Sequence, residues 1–433
     1  MNFLISRKRV NCNCHSELLE GRSEESISTL SGSCNKNKMK RRKNILIALA
    51  LQLLVGPLGL QGAYAQRVSE LKFYDVRQLV TEGKAVILGQ AEKAADSCGY
   101  YYRLPLKLKG AVREELWDLG RNSAGVAVRF STDSKTIGAK WSLTNNFAMS
   151  HMAYTGIKGM DLYLYSNGKR GKEWLFAGTA FPNGKNSANI FVRKMEGGKR
   201  EYMIYLPLYD GVESMAIGID STAQLYRPSD ALLTEKASLP IIFYGTSVTQ
   251  GGCVSRPGMA YPAIVSRRLG VQTINLGFSG NGRMDGAMAD WIKTLPASAI
   301  VIDCLANCTY QTTRDSSDYF IGSIAAANPN VPIYIVNNFE YPQQFILPQN
   351  NSDMVQENQL IKSIYLRLKK YGTQLREPST GKIYSTGPLK NLRFIDVSGQ
   401  KGEGIQNDDT VDGTHLTDLG STHFATLLLH HLK

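Results

Sequence analysis

The sequence predicts an antiparallel β-sandwich of jelly-roll type followed by an α/β domain with three α/β/α layers and a parallel sheet. Short alternating strands, separated by Gly, Asn, Asp and Ser, run from about Arg67 to Ala237, and such a pattern is typical of sandwiches. After Pro240, near-continuous apolar strands alternate with helices, which indicates a parallel sheet covered on both faces. We therefore expect a sandwich over residues 66–237 and an α/β domain over residues 238–433.

Residues 1–65 are predicted to be a leader that belongs to neither domain. Four basic residues at positions 40–43 precede an apolar run from Ile45 to Leu60, and Ala63-Tyr64-Ala65 follows. A basic segment, a short apolar segment and a small-residue site are typical of a secretory signal peptide, here about residues 39–65. The 16-residue apolar run is shorter than the roughly 20 residues that a membrane span needs, so cleavage before Gln66 is favoured over an anchor.

The predicted leader has two further consequences. Met39 directly precedes the basic cluster, so residues 1–38 are interpreted as a mis-called start, and the mature chain is expected in the periplasm or outside a bacterial cell. The formal net charge of +13 falls to +7 without the first 65 residues, and no Lys/Arg block follows them. A nucleic-acid partner is therefore not expected. The sequence leaves the oligomeric state open.

Seven strands of the sandwich can be placed from alternating apolar residues. They are predicted at Ala124–Phe130, Thr136–Leu143, Asp161–Tyr165, Trp174–Ala177, Ile190–Val192, Glu201–Leu206 and Ser214–Ile219. A change in composition near Ser229–Leu239 marks the end of this part.

The α/β domain is predicted from five apolar strands and five helical segments. The strands are Ile241–Gly245, Gln272–Gly277, Ala299–Leu305, Pro332–Asn338 and Leu392–Val397. The helices are Met259–Leu269, Asp285–Leu295, Ser317–Asn328, Ser352–Tyr371 and Leu416–Leu432. Because ligands bind at the carboxyl ends of parallel strands, the loops after the first three strands are the expected site.

Those three loops and one later turn carry residues that suit ester chemistry. Ser247 follows the first strand, Gly280 follows the second, Asn307 follows the third, and Asp412 and His415 stand before the last helix. A serine becomes a nucleophile when an imidazole removes its proton and a carboxylate orients that imidazole. A glycine amide, an asparagine amide and the serine N–H can stabilise the negative charge on the substrate carbonyl. Asp412 could equally interact with the dipole of the last helix.

The order and spacing of these residues resemble the SGNH (GDSL-type) hydrolase superfamily, over roughly Pro240 to the C-terminus. The first block departs from the family's G-D-S, since Thr246 stands where the family has Asp. The upstream part resembles the sandwich module with a G-x-D-L-Y motif, present as Gly159 to Tyr163, and 205–211 (YLPLYDG) adds to that resemblance. This module typically precedes an SGNH domain in exported bacterial proteins. The resemblance implies a flavodoxin-like sheet.

The resemblance also implies an exported serine esterase that removes small acyl groups, acetyl above all, from carbohydrate. Its roles fall on Ser247 as nucleophile, His415 as base and Asp412 as orienting acid, with Ser247, Gly280 and Asn307 forming the oxyanion hole. Two alternatives stay open. One is a lipid or lysophospholipid esterase with the same triad, and the other is a carbohydrate-binding protein with an inactive hydrolase domain.

The remaining histidines and cysteines give weaker signals. His151 lies eight residues before the G-x-D-L-Y motif and is predicted either at the substrate rim of the site or in a structural or surface role. Cys253 and Cys304 could meet as a disulfide. Metal catalysis is not expected, since no Cys/His cluster of the mature chain has the spacing of metal ligands. The glycines at 277, 280 and 282 lack dinucleotide-loop spacing, so no cofactor is expected.

Overall fold

The computed structural model describes residues 68–92, 99–169, 171–229, 239–343, 346–376, 381–398, 405 and 407–432. The predicted leader (1–65), with its signal peptide (39–65), lies outside these residues, as does nearly all of the predicted boundary segment. The two parts predicted from sequence lie within one compact unit, Gln66–Lys433. Among the described residues, none of the helices combines the length and the apolar character needed to cross a membrane.

The N-terminal part is built from two antiparallel sheets, as the sequence predicts. The strands are β1 (Leu71–Asp75), β2 (Ala85–Leu88), β3 (Ala127–Thr132), β4 (Ile137–Leu143), β5 (Met160–Gly168), β6 (Gly171–Ala180), β7 (Asn186–Val192), β8 (Arg200–Tyr205), β9 (Val212–Asp220) and β10 (Leu225–Tyr226). One sheet has the order β1-β9-β4-β7, and the other has the order β10-β3-β8-β5-β6 with β2 beside β3. Side chains of both sheets, including Phe130 and Trp141, share one apolar core, so the sandwich is confirmed.

The C-terminal part has a five-stranded parallel sheet, in agreement with the prediction. Its strands are β11 (Ile241–Gly245), β12 (Thr273–Gly277), β13 (Ala299–Asp303), β14 (Ile333–Val336) and β17 (Leu392–Ile395). Their order is β12-β11-β13-β14-β17, and every pairing is parallel. Along β11, Ile242 and Tyr244 enter the core on one face while Ile241 and Phe243 enter the core on the other. Both faces are therefore covered, which is why the strand reads as continuously apolar.

Nine α-helices accompany these sheets in the described part of the chain. They are α1 (Val76–Thr81), α2 (Glu114–Gly120), α3 (Tyr154–Ile157), α4 (Ser247–Gln250), α5 (Tyr261–Leu269), α6 (Gly286–Ile292), α7 (Tyr310–Ala327), α8 (Pro348–Tyr371) and α9 (Asp418–His431).

The structure corrects several of the predicted elements. The sandwich region contains α1, α2 and α3 as well as the first two strands, none of which the sequence predicted. Helix α7 begins at Tyr310 rather than Ser317 because Thr309 caps it, its hydroxyl accepting the N–H of Thr312 at 3.1 Å. The first turns of α7 are polar and largely exposed, so they lack the apolar period that marks a helix. A small hairpin of β15 (Gln374–Arg376) and β16 (Ile383–Ser385) was also missed.

The G-x-D-L-Y motif joins the sandwich to the α/β part. Asp161 of β5 is fully buried and accepts a hydrogen bond from the Arg256 guanidinium at 2.6 Å. The backbone N–H of Gly258 donates to the same carboxylate at 3.0 Å. A buried carboxylate needs such partners, because its desolvation is costly. Asp161 thus fixes the segment between α4 and α5 against the sandwich.

Arg103 forms a second buried connection between the two parts. Only 3% of this residue is exposed, and its guanidinium donates to the carbonyls of Asn275 at 3.1 Å and Gly277 at 2.6 Å, at the end of β12. Further bonds reach the carbonyls of Leu119 and Asn122. Burial lowers the pKa of Arg103 to about 9. The four carbonyls replace the water that the buried guanidinium has lost. Conversely, these carbonyls would lose a hydrogen-bond donor if the guanidinium were removed.

Replacing Arg103 by Met is expected to lower the free energy of unfolding by about 3 kcal/mol or more, since several buried carbonyls lose their donor. Chemical denaturation of both proteins measures this change. The control is Arg314→Met on α7, whose side chain is 57% exposed and whose loss should change stability by less than about 0.5 kcal/mol. Equal stabilities of the two variants would contradict the structural role of Arg103.

Candidate active site

Ser247 lies at the point where β11 gives way to the short helix α4. Thr246 caps this helix, its hydroxyl accepting the N–H of Val248 at 3.2 Å. Ser247 is the first residue of α4, so its own N–H has no acceptor within the helix. The residue is only 6% exposed. Thr246 therefore does the capping that an Asp would do in G-D-S, and the serine keeps its position.

His415 connects Ser247 to Asp412 through its two ring nitrogens. Its Nε2 lies 2.8 Å from Ser247 Oγ, and its Nδ1 lies 2.7 Å from Asp412 Oδ2. The other oxygen of Asp412 accepts the backbone N–H groups of Thr414 at 3.1 Å and His415 at 2.8 Å. The Asp412 carboxylate thus stabilises the Asp412–His415 turn with one oxygen and orients the His415 imidazole with the other. Asp412, His415 and Ser247 have the geometry of a Ser-His-Asp triad.

The charge state of Asp412 suits this geometry. Burial alone would raise the pKa of Asp412, but the hydrogen bonds that it accepts from His415 and Thr414 outweigh burial and hold its pKa below the usual value. The group is therefore ionised at neutral pH. An ionised carboxylate at Nδ1 keeps the proton on that nitrogen and leaves Nε2 free to accept the serine proton.

The two other predicted residues occupy the neighbouring loops. Gly280 has φ +67°, and open space lies where a Cβ would stand, so the loop presents backbone rather than side chain at this position. Asn307 ends a 3₁₀ turn (Leu305–Asn307) directly after β13. Its side-chain oxygen is buried without a partner among the described residues. Neither residue is engaged in a way that would prevent it from contacting a ligand.

The loop that carries Gly280 is held tightly against α4. A Cβ on Gly277 would lie 2.1 Å from the backbone nitrogen of Gln250, so only glycine fits there. The side chain of Gln250, which is fully buried, accepts the N–H of Ser279 at 2.9 Å and donates to the carbonyl of Leu208 at 2.9 Å. Gln250 thereby connects the YLPLYDG stretch of the sandwich to the Gly280 loop. Sequence reasoning missed this residue, because an amide in a short helix gives no periodic signal.

His151 reaches this site from a loop of the sandwich. Its ring centroid lies 5.9 Å from that of His415, and its side chain is exposed. The loop is fixed by Asp210, whose buried carboxylate accepts three consecutive backbone N–H groups at 145–147, at 2.7–3.0 Å. Lys158 adds a bond to the Asn146 side chain. The fold therefore fixes the start of the loop that carries His151, and the sandwich brings this ring next to His415.

Cys253 also lies beside the triad. The donor atoms of His151, Cys253, Asp412 and His415 all lie within 4.8 Å of one another. Burial, together with the nearby Asp412 charge, raises the pKa of Cys253 to about 12, so its thiol does not compete with Ser247 as a nucleophile. Cys253 and Cys304, the predicted candidates for a disulfide, both have free thiols in this structure.

Asp303, at the end of β13, is a half-buried acid that the sequence did not single out. Its Oδ2 accepts hydrogen bonds from the Tyr261 hydroxyl at 2.8 Å and the Thr249 hydroxyl at 3.2 Å. Burial raises the pKa of Asp303 to about 7, although both hydroxyls oppose this shift. Asp303 therefore connects α4, α5 and β13.

Comparison with known proteins identifies the chain as an ester hydrolase. Residues 238–433 match the GDSL-like lipase/acylhydrolase family, and residues 71–225 match the GxDLY N-terminus of SGNH-hydrolase-type esterases. The α/β part thus matches the GDSL-like lipase/acylhydrolase family, and the sandwich matches the N-terminal part of SGNH-hydrolase-type esterases. Both resemblances inferred from the sequence are confirmed. None of the curated proteins matches the chain.

Two solved structures are similar over most of the chain. A protein described as a GDSL-like lipase from Bacteroides ovatus ATCC 8483 has 28% identity and a TM-score of 0.71, covering 83% of this chain and 96% of its own. The salicylyl-acyltransferase SsfX3 from a tetracycline biosynthetic pathway has 16% identity and a TM-score of 0.61 over the same shares. Because of its low identity, the second structure supports the fold alone.

Asp303→Asn tests the raised pKa of Asp303. Above about pH 4 the unfolded chain releases the Asp303 proton, whereas the native protein retains it up to about pH 7. The free energy of unfolding of the wild type, relative to that of Asp303→Asn, should therefore fall as the pH rises from about 4 to about 7. Above that range the difference should stay constant. The slope cannot exceed about 1.4 kcal/mol per pH unit. Denaturation midpoints at several pH values measure it.

The matched control is Asp315→Asn, because Asp315 lies on the surface of α7 and its pKa is lowered by Arg314 and Gln311. The free energy of unfolding of the wild type, relative to that of Asp315→Asn, should not fall between about pH 4 and pH 7. Parallel stability profiles for wild type and Asp303→Asn would contradict the shifted pKa.

Proposed function

We propose that this chain is an exported serine esterase that hydrolyses small acyl esters, acetyl in particular, on carbohydrate. The observation that carries the proposal is the continuous path from Asp412 through His415 to Ser247, with separations of 2.7 Å and 2.8 Å. Such a path supplies a nucleophile, a base and an orienting acid in one place. The match of the α/β part to the GDSL-like lipase/acylhydrolase family supports the same reaction.

The proposed reaction has two stages. Ser247 Oγ attacks the ester carbonyl while His415 Nε2 takes the hydroxyl proton, and Asp412 stabilises the resulting imidazolium. His415 then gives this proton to the leaving alcohol, which leaves an acyl group on Ser247. Water attacks the acyl-enzyme carbonyl while His415 Nε2 takes its proton, and His415 gives that proton to Ser247 Oγ as the bond to the acyl group breaks and the acid leaves. Serine and histidine return to their starting states.

The oxyanion that forms in each stage requires hydrogen-bond donors in place beforehand. We assign this role to the N–H groups of Ser247 and Gly280 and to the Asn307 side chain. The first lies at the N-terminus of α4, and the other two follow β12 and β13 at the same edge of the sheet. Loss of a single such donor costs about 10²–10³ in kcat in comparable sites.

Carbohydrate is proposed as the leaving alcohol because the sandwich supplies a polar rim beside the triad. The exposed His151 ring stands next to His415, where a hydroxyl-rich alcohol could accept or donate a hydrogen bond. The predicted signal peptide supports this proposal, because export would bring the enzyme to extracellular or periplasmic glycans. The opposing hypothesis of a lipid ester needs a long apolar groove beside Ser247.

Acetate release from acetylated polysaccharides tests the proposal. The purified mature chain should release acetate, and Ser247→Ala should lower kcat by about 10⁶-fold, because the nucleophile is lost. Ser363→Ala, on the exposed surface of α8, serves as the matched control and should retain full activity. Full hydrolysis by Ser247→Ala would contradict the assignment of the nucleophile.

Two further arms of this experiment separate the alternatives. Comparing acetyl with long-chain acyl esters decides between a small-acyl esterase and a lipid esterase, since only the former loses activity as the chain lengthens. His151→Ala should raise KM for the glycan ester, because one contact to the sugar is lost. The same variant should hydrolyse p-nitrophenyl acetate at almost the wild-type rate. Glycan binding without any acetate release would favour an inactive carbohydrate-binding protein.

A further inference from the structure

Four side chains that commonly bind transition metals meet at the catalytic base. His151, Cys253, Asp412 and His415 each offer one donor atom, and these atoms all lie within 4.8 Å of one another. They come from a sandwich loop, the segment after α4 and the turn before α9. Two of them serve the proposed triad, whereas Cys253 takes no part in the proposed reaction. A buried thiol and an exposed imidazole beside a triad therefore need their own explanation.

The donor set is one that zinc prefers. Two imidazoles, a thiolate and a carboxylate can form a tetrahedral site, with bonds of about 2.0–2.3 Å. Neighbouring donors in such a tetrahedron stand about 3.3–3.7 Å apart, so the present cluster needs to contract by roughly 1 Å. The side chains of His415 and Asp412 are 23% and 37% exposed, and His151 is exposed as well. An ion can thus enter from solvent without opening the core.

We propose that this cluster is an inhibitory site for a divalent transition-metal ion of the zinc type. The inference rests on the proposed function, because inhibition requires that His415 act as the base. Cys253 would bind as thiolate and release its proton to solvent, and His151 would be the outermost ligand.

The position of His415 makes metal binding and catalysis mutually exclusive. Its Nε2 bonds Ser247 Oγ and its Nδ1 bonds Asp412 Oδ2. An ion on Nε2 takes the lone pair that must accept the serine proton. An ion on Nδ1 replaces the bond to Asp412 that orients the ring. Either mode of binding therefore inactivates the triad, and removal of the ion restores it.

Cobalt spectroscopy and zinc inhibition together test the site on the full mature chain. Added Co²⁺ should produce a thiolate-to-cobalt charge-transfer band. Added Zn²⁺ should abolish most hydrolysis of p-nitrophenyl acetate, and a chelator should restore it. Cys253→Ser should keep its metal-free activity, lose the cobalt band, and require at least about tenfold more zinc for half inhibition, since one ligand is gone. Cys308→Ser, which removes another buried thiol, should retain the cobalt band.

The spectroscopic readout separates this proposal from the proposed function. Absence of the cobalt band in the wild-type chain, or an unchanged band in Cys253→Ser, would overturn the metal site whatever the hydrolytic activity. A band without zinc inhibition would overturn the inhibitory role. A wild-type chain that forms the band and hydrolyses no ester would overturn the proposed function while the metal site stands.

Discussion

The hydrogen bond between Ser247 and His415 joins residues 168 positions apart, and the rest of the site depends on it. Strand β11 lies within the parallel sheet, so its carboxyl end has the ends of β12 and β13 on either side. This arrangement places the serine between the loops of Gly280 and Asn307. The turn before α9 then brings the His415 imidazole within hydrogen-bond distance of Ser247. A fold with this strand order brings four distant segments to one edge of the sheet.

The sandwich contributes directly to this edge rather than serving only as an attached module. Arg103 holds the end of β12, from which the Gly280 loop departs. Asp161 holds the segment after α4 through Arg256. Asp210 fixes the start of the loop that carries His151 to the side of His415. Because these contacts are buried and charged, loss of any one of them affects stability and site geometry together.

The sequence was sufficient to predict both sheet types, because period-two strands and continuously apolar strands differ visibly. It also singled out Ser247, Asp412 and His415, since polar residues after buried strands and a D-x-x-H turn stand out locally. The roles of Gln250 and Asp303 could not be predicted in this way, because each depends on partners that are distant in sequence. The cluster around Cys253 could not be predicted for the same reason. Its members come from three segments that are distant in sequence, so their spacing along the chain does not indicate a common site.

The central claim is that Ser247 is the activated nucleophile of this site. Reaction of the full mature chain with a fluorophosphonate, followed by peptide mass spectrometry, tests it most directly, because such reagents modify a serine only when a neighbouring base activates it. We predict a single adduct on the peptide that contains Ser247 and its loss in His415→Ala. An adduct on another serine, or none on the folded wild-type chain, would contradict the claim.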